Sequence, residues 1–175
     1  MPDAPRTLLT LCTGNVARSV LLAGMLEALG EEEGLAWPVR SAGTHAVEGA
    51  AISARTRDAL ASLAEPGLGP IVGHRSHQLS ADDLAWAELT LCVEASQVTL
   101  VEGLRPGARA VTIGQFVREA ELEGSWPGRV DAVVARGADP RYDVVDPAGG
   151  DQALYDAVAR ELWELAQALV TLFGE

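Results

Sequence analysis

Two hydrophobic rhythms alternate along most of the chain. Arg6 to Cys12 is almost continuously apolar, the pattern of a strand covered on both faces. From Arg18 to Leu29 the apolar residues recur at Leu21, Leu22, Met25, Leu26 and Leu29, and Gly30 stands where a helix would cap. A second strand is expected within Trp37 to Ala42, then a helix from Ser53 to about Ala64 and a break at Pro66, Gly67, Gly69 and Pro70. Leu89 to Val93 reads as a third buried strand. Ala110 to Ile113 reads as a short fourth, ahead of a helical stretch around Gln115 to Leu122. The last helix is set by Leu154, Val158, Leu162, Leu165, Leu169 and Leu172, which step by four and three along one face, with Asp151 placed as its N-cap. Two segments have no rhythm. Met1 to Pro5 is expected to fray, and residues 123–150, rich in Gly, Pro and charge, are expected to form a loop too long for an idle connection, of the kind that is functional or mobile.

Alternating strands and helices predict an α/β fold: three layers, with a four-stranded parallel sheet flanked by helices and joined by right-handed crossovers. A length of 175 residues fits one domain, 1–175, and is enough to bury roughly two-thirds of the unfolded surface without a disulfide or metal staple. The net charge of -12 argues against nucleic acid or an anionic membrane as a partner, because both need clustered Lys and Arg. Any phosphate site must therefore be built locally. Two cysteines far apart and no long apolar run lead to the expectation of a cytoplasmic protein with reduced thiols. His45, His74 and His77 and the two cysteines offer no zinc spacing, so no metal is expected.

Against that acidic background one stretch changes the picture. Residues Cys12 to Ser19 read C-T-G-N-V-A-R-S and connect the end of the first strand to the start of the first helix. Open parallel sheets bind ligands at the carboxyl ends of their strands, which places this loop at the site. If Gly14 and Asn15 adopt unusual backbone angles, the amides of Thr13, Gly14, Asn15, Val16, Ala17 and Arg18 can converge on one oxyanion, helped by the helix N-terminus. The same field favours a Cys12 thiolate, a nucleophile in line for phosphorus. Arg18 can clamp two equatorial oxygens in a planar fork, and Ser19 can donate its hydroxyl to the sulfur.

C-T-G-N-V-A-R-S resembles the C-x5-R-S loop of the low-molecular-weight protein tyrosine phosphatases. Arg40-Ser41-Ala42-Gly43-Thr44 resembles their S-A-G-T segment, Gly73-His74-Arg75-Ser76 with Gln78-Leu79 their H-R-x-R-Q-L stretch, and Asp146-Pro147 their D-P loop. The landmarks stand in family order across nearly the whole chain. The S-A-G-T-H-A-x-x-G segment is most similar to bacterial members associated with tyrosine kinases and exopolysaccharide control. The resemblance implies a cysteinyl-phosphate mechanism on phosphotyrosine in proteins, with Cys12 as nucleophile, Arg18 on the phosphate and Asp146 as general acid and then base. It implies that Asn15, Ser19, Ser41 and His74 brace the loop, that no cofactor is needed, and that a bacterial tyrosine kinase is a candidate partner.

Departures narrow the inference. Ala17 stands at a second loop cysteine, and Val47 and Ala148 stand where the family places aromatic walls. Trp37, Trp86, Trp126 and Trp163 are expected in the core or at interfaces, with Trp126 on the unpatterned segment the one able to supply a wall. His45 and His77 are expected to face solvent, and Cys92 to fill core. Asp139 and Asp143 compete with Asp146 for the acid role. The rival readings are a non-catalytic phosphate-binding module, an arsenate reductase, for which the resolving cysteines are missing, and a protein-arginine phosphatase. Apolar Val16 offers no hydroxyl to a guanidinium, which disfavours the last.

Overall fold

Leu8, Leu9 and Leu11 are fully buried on a strand, β1 (Leu8–Cys12), that has a neighbour on each side. A computed structural model describes residues 3–174. Along the chain follow α1 (Arg18–Glu32), β2 (Val39–Gly43), α2 (Ala54–Leu63), α3 (Ala81–Trp86), β3 (Leu89–Cys92), α4 (Ala95–Leu104), β4 (Ala110–Thr112), α5 (Ile113–Glu119), α6 (Trp126–Ala135) and α7 (Gln152–Gly174). The sheet is parallel throughout, in the order β2-β1-β3-β4, with Cys12 opposite Gly43 and Leu11 opposite Cys92. Strand alternation splits the apolar residues into two cores. Leu8 and Cys12 face the larger one, with Met25, Leu26, Phe116, Leu162 and Leu169, and Leu9, Leu11 and Cys92 face the smaller one, with Leu84 and Val101. The expected α/β architecture of three layers is therefore present. Among the described residues no helix is long and apolar enough to cross a membrane.

The two unpatterned segments differ from expectation. Residues 126–135 form α6, not loop, and Pro140–Tyr142 form a 3-10 turn. Only Trp126, Val130 and Val133 of α6 reach the core as apolar side chains. Between them Arg129 is also buried, donating to the Leu172 carbonyl at 2.8 Å, and this charge disguises the face. The residues expected to fray are tied to the same helix. Asp3 accepts the Trp126 backbone N–H at 2.6 Å, where a carboxylate meets the positive end of the helix dipole, and Pro5 is buried. Met1 and Pro2 lie outside the described residues.

Candidate active site

The loop between β1 and α1 is held from behind. Thr10, on the same face of β1 as Cys12, donates its hydroxyl to the Ser19 carbonyl at 2.7 Å, tying the strand to the first turn of α1. On the β2 side, the Thr44 N–H donates to the Cys12 carbonyl and the His45 N–H to the Thr13 carbonyl, both at 2.9 Å. Gln78 clasps that neighbouring segment, accepting from the Ala46 N–H and donating to the Thr44 carbonyl. Gly43 is required by this closeness: a Cβ there would sit 2.5 Å from the Thr13 carbonyl oxygen. Of the two residues expected at unusual angles, only Asn15 is left-handed, at φ 53°, a conformation its short polar side chain tolerates. Gly14 is not at positive φ, and a Cβ there would make only an ordinary contact, 3.6 Å from Val16 Cγ2. Among the described residues the backbone N–H groups of Thr13, Gly14, Val16, Ala17 and Arg18 have no protein acceptor, while that of Asn15 points at Cys12 Sγ, 3.3 Å away. Such a set of free amides above a sulfur can cradle an anion.

The protons around that sulfur can be assigned by elimination. The His77 backbone N–H can only donate, and it reaches an Asn15 side-chain atom at 2.8 Å, which must be Oδ1. The opposite end of the fully buried Asn15 amide is therefore NH2, and it donates to Ser19 Oγ at 2.8 Å and Ser41 Oγ at 3.0 Å. Ser19 Oγ is thus already an acceptor, and its own proton is free for Cys12 Sγ, 2.9 Å away. His74 Nε2 lies 3.1 Å from the Asn15 carbonyl and 3.0 Å from Asn15 Oδ1, so it must carry hydrogen. Burial pushes this imidazole below its ordinary pKa against the pull of the Asn15 carbonyl, with Arg75 adding to the decrease. The folded state therefore prefers the neutral ring. Its contribution to stability is full above the ordinary histidine pKa and is lost as pH falls through the lower folded value. Nitrogen NMR of the ring is expected to show the Nε2–H tautomer at neutral pH. An Nδ1–H ring would set a lone pair against two oxygens and would overturn the assignment.

Arg18 is buried, with 3% of its side chain exposed, and is fixed on three sides. Nη1 donates to Glu94 Oε1 at 2.5 Å and to the Val144 carbonyl at 2.9 Å, and Nη2 lies 3.5 Å from Asp146 Oδ2. Asp146 is half exposed and accepts the Ala148 N–H, so it reaches the guanidinium from a turn in contact with solvent. Its competitors are held elsewhere: Asp139 is bound by Arg141, and Asp143 accepts the Ala95 N–H at the start of α4. Burial raises the Asp143 carboxyl above its ordinary value.

Sequence reasoning missed Glu94, and it weighed Asp143 only as a rival acid, not as the acceptor of the Ala95 N–H. Glu94 stands two residues past β3 at the carboxyl edge of the sheet, the same edge as Cys12, and this position is the signal that could have nominated it. Asp143 carries no such signal, since its partner Ala95 lies far away in sequence. His77 does not simply face solvent: Nε2 lies 2.7 Å from Asp83 and Nδ1 3.1 Å from Glu48, while His45 is exposed as expected. Trp126 supplies no wall. It packs in the core with Arg109 over its ring, whereas Val47, at 76% exposure, and Ala148 leave the expected wall positions open.

The family described as low molecular weight phosphotyrosine protein phosphatase matches residues 7–125 of the chain. A protein-arginine-phosphatase of Geobacillus stearothermophilus is 29% identical over 167 residues, 94% of each chain. The crystal structure of a low molecular weight protein tyrosine phosphatase from T. tengcongensis superposes with a TM-score of 0.73 at 30% identity, covering 94% of this chain and 97% of that one. The tyrosine phosphatase Wzb from Escherichia coli K30, solved with sulphate, shares the fold at 18% identity, with a TM-score of 0.71 over 98% of both chains.

Proposed function

This chain belongs to the low molecular weight phosphotyrosine protein phosphatase family, and from that premise we propose that it hydrolyses phosphotyrosine in proteins through a cysteinyl-phosphate intermediate. The observation that carries the reading is the Ser19 hydroxyl proton left free for Cys12 Sγ at the floor of a loop of unpaired amides. That proton stabilises the sulfur as an anion both when it attacks and when it leaves.

In the first step the Cys12 thiolate attacks phosphorus and the bond to the tyrosyl oxygen breaks, while Asp146 gives its proton to that oxygen. In the second step water attacks the cysteinyl-phosphate, Asp146 takes a proton from it, and the thiolate leaves. Throughout, Arg18 and the loop amides hold the equatorial oxygens, where negative charge grows. Since Asp146 rests against Arg18 Nη2, an arriving phosphate competes with it for the guanidinium and frees it to face the leaving group.

Apolar Val16 and the exposed Val47 and Val145 favour an aryl ester over a guanidinium, although a 29% identical relative is named for arginine. A phosphotyrosine-bearing tyrosine kinase is the partner this reading supplies. The test is kcat/KM on p-nitrophenyl phosphate, a phosphotyrosyl peptide and a phosphoarginyl peptide under reducing conditions. At least a tenfold preference for the phosphotyrosyl over the phosphoarginyl peptide is expected, and the reverse ranking would reassign the substrate. Inactivity on all three would leave a phosphate-binding module. Asp146→Asn is expected to lower kcat by roughly 10² to 10⁴, with the smallest loss on the good nitrophenolate leaving group. A uniform loss across leaving groups would remove Asp146 from the acid role.

A further inference from the structure

A cleft of about 960 Å³ lies behind the phosphate loop, between α1, the outer side of β2 and residues 67–77. Its size falls at the upper end of ordinary ligand sites. Small residues Ala23, Gly24, Ala28, Gly67 and Gly73 hollow it, and Val20, Val39 and Ile71 give it an apolar lining.

One wall is an open strand edge. The bonds from the Leu8 N–H to the Pro38 carbonyl and from the Thr44 N–H to the Cys12 carbonyl fix which residues of β2 face β1. By that alternation the backbone groups of Val39, Ser41 and Gly43 point the other way. Gly43 is paired there, its N–H donating to the His77 carbonyl and its carbonyl accepting from the Leu79 N–H. Upstream the pairing stops: among the described residues the Ser41 N–H and carbonyl and the Val39 carbonyl have no partner, and the Val39 N–H lies toward the Glu27 carboxylate. Residues 77–79 thus begin an additional strand that the cleft leaves unfinished.

The rim carries its unpaired carboxylates on one side, while Asp83, which also lines the cleft, is engaged by His77 and the Ser80 N–H. Glu27, Glu31 and Glu32 lie on the α1 side with no cation within 4.0 Å among the described residues, and desolvation raises the Glu27 carboxyl above its ordinary value against the lowering effect of the Val39 backbone. Arg40 and Arg75 lie on the opposite side. Arg40 stacks over Trp86 and Arg75 donates to the His74 carbonyl, and neither pairs with a carboxylate among the described residues.

We propose that this cleft binds an extended stretch of polypeptide that pairs with Ser41 and the Val39 carbonyl and places a lysine or arginine side chain against Glu27 and Glu31. Unpaired strand groups at the correct spacing are met by a peptide backbone, and an unneutralised carboxylate selects a basic side chain over an acidic one. The cleft also borders the catalytic machinery. Ser41 and His74, which line it, both hydrogen-bond to Asn15. The inference does not depend on which phosphate ester is hydrolysed.

The probes are two fluorescein-labelled, terminally blocked pentapeptides, Thr-Val-Lys-Val-Thr and Thr-Val-Glu-Val-Thr. Anisotropy is measured with inorganic phosphate saturating the Cys12 loop. The lysine peptide is expected to bind saturably, with affinity at least tenfold above that of the glutamate peptide and at least tenfold above that of the same peptide for Glu27→Lys. Glu27→Lys should keep the basal hydrolysis of aryl phosphate, which shows that it folds. Hydrogen exchange at the Ser41 amide should slow when the lysine peptide is added. Equal affinity for the two peptides, unaltered binding by Glu27→Lys, absence of saturation or an unprotected Ser41 amide would each overturn the proposal.

Discussion

Cys12→Ser is expected to lower turnover of an aryl phosphate by roughly 10⁴ to 10⁶ while leaving the binding of inorganic phosphate within a few-fold of wild type. The asymmetry follows from how the loop is built. In the proposed function, anion affinity comes from the backbone amides, from Arg18 and from the start of α1, none of which needs the sulfur. Chemistry needs a group that is a strong nucleophile when it attacks and a good leaving group when it departs, and a serine hydroxyl at the floor of the loop is weaker than a thiol in both roles. Steady-state rates and calorimetric titration with phosphate separate the two. A variant that kept more than a few per cent of the rate would remove Cys12 from the nucleophile role, and one that lost phosphate binding as well would mean that the cradle depends on the sulfur.

Arg18→Lys is expected to cost roughly 10² to 10³ in kcat, with a smaller effect on KM. The ammonium restores the positive charge but not the fork. A single nitrogen cannot span Glu94, the Val144 carbonyl and Asp146, which the two terminal nitrogens of Arg18 reach in different directions. Charge grows on the phosphoryl oxygens toward the transition state, so the loss falls chiefly on the chemical step. A lysine variant within tenfold of wild type would show that charge alone suffices and that the fixed guanidinium plane contributes little.

How far the sequence could be read depended on how far each element reports itself locally. β1 is buried on both faces and α7 carries one long apolar stripe, so both have strong periodic signals and were expected close to where they lie. The phosphate loop was legible for a different reason: its chemistry is confined to consecutive residues. α3 went unnoticed because it is a single short element, held by the reciprocal caps of Ser80 and Asp83 with Leu84 as its buried apolar residue. α4 and α6 bury few apolar positions, and α6 also interposes a buried arginine. In the site, Ser41 and His74 could be nominated only through a resemblance, since their contacts with Asn15 span dozens of residues. The contacts of Glu94 with Arg18 and of Asp143 with the Ala95 N–H bridge comparable gaps with no motif to mark them, although Asp143 itself was weighed as an acid.

The division of the sheet into two faces bears on how the enzyme would age under oxidising conditions. Cys12 and Cys92, the two cysteines of the chain, sit on adjacent strands but belong to opposite cores, so their sulfurs cannot meet while the sheet is intact. With Ala17 in the loop, a sulfenic acid formed on Cys12 by peroxide has no thiol of its own chain to condense with. Recovery of the active thiolate then belongs to whatever thiols the surroundings supply, and the protein's working life is tied to their concentration.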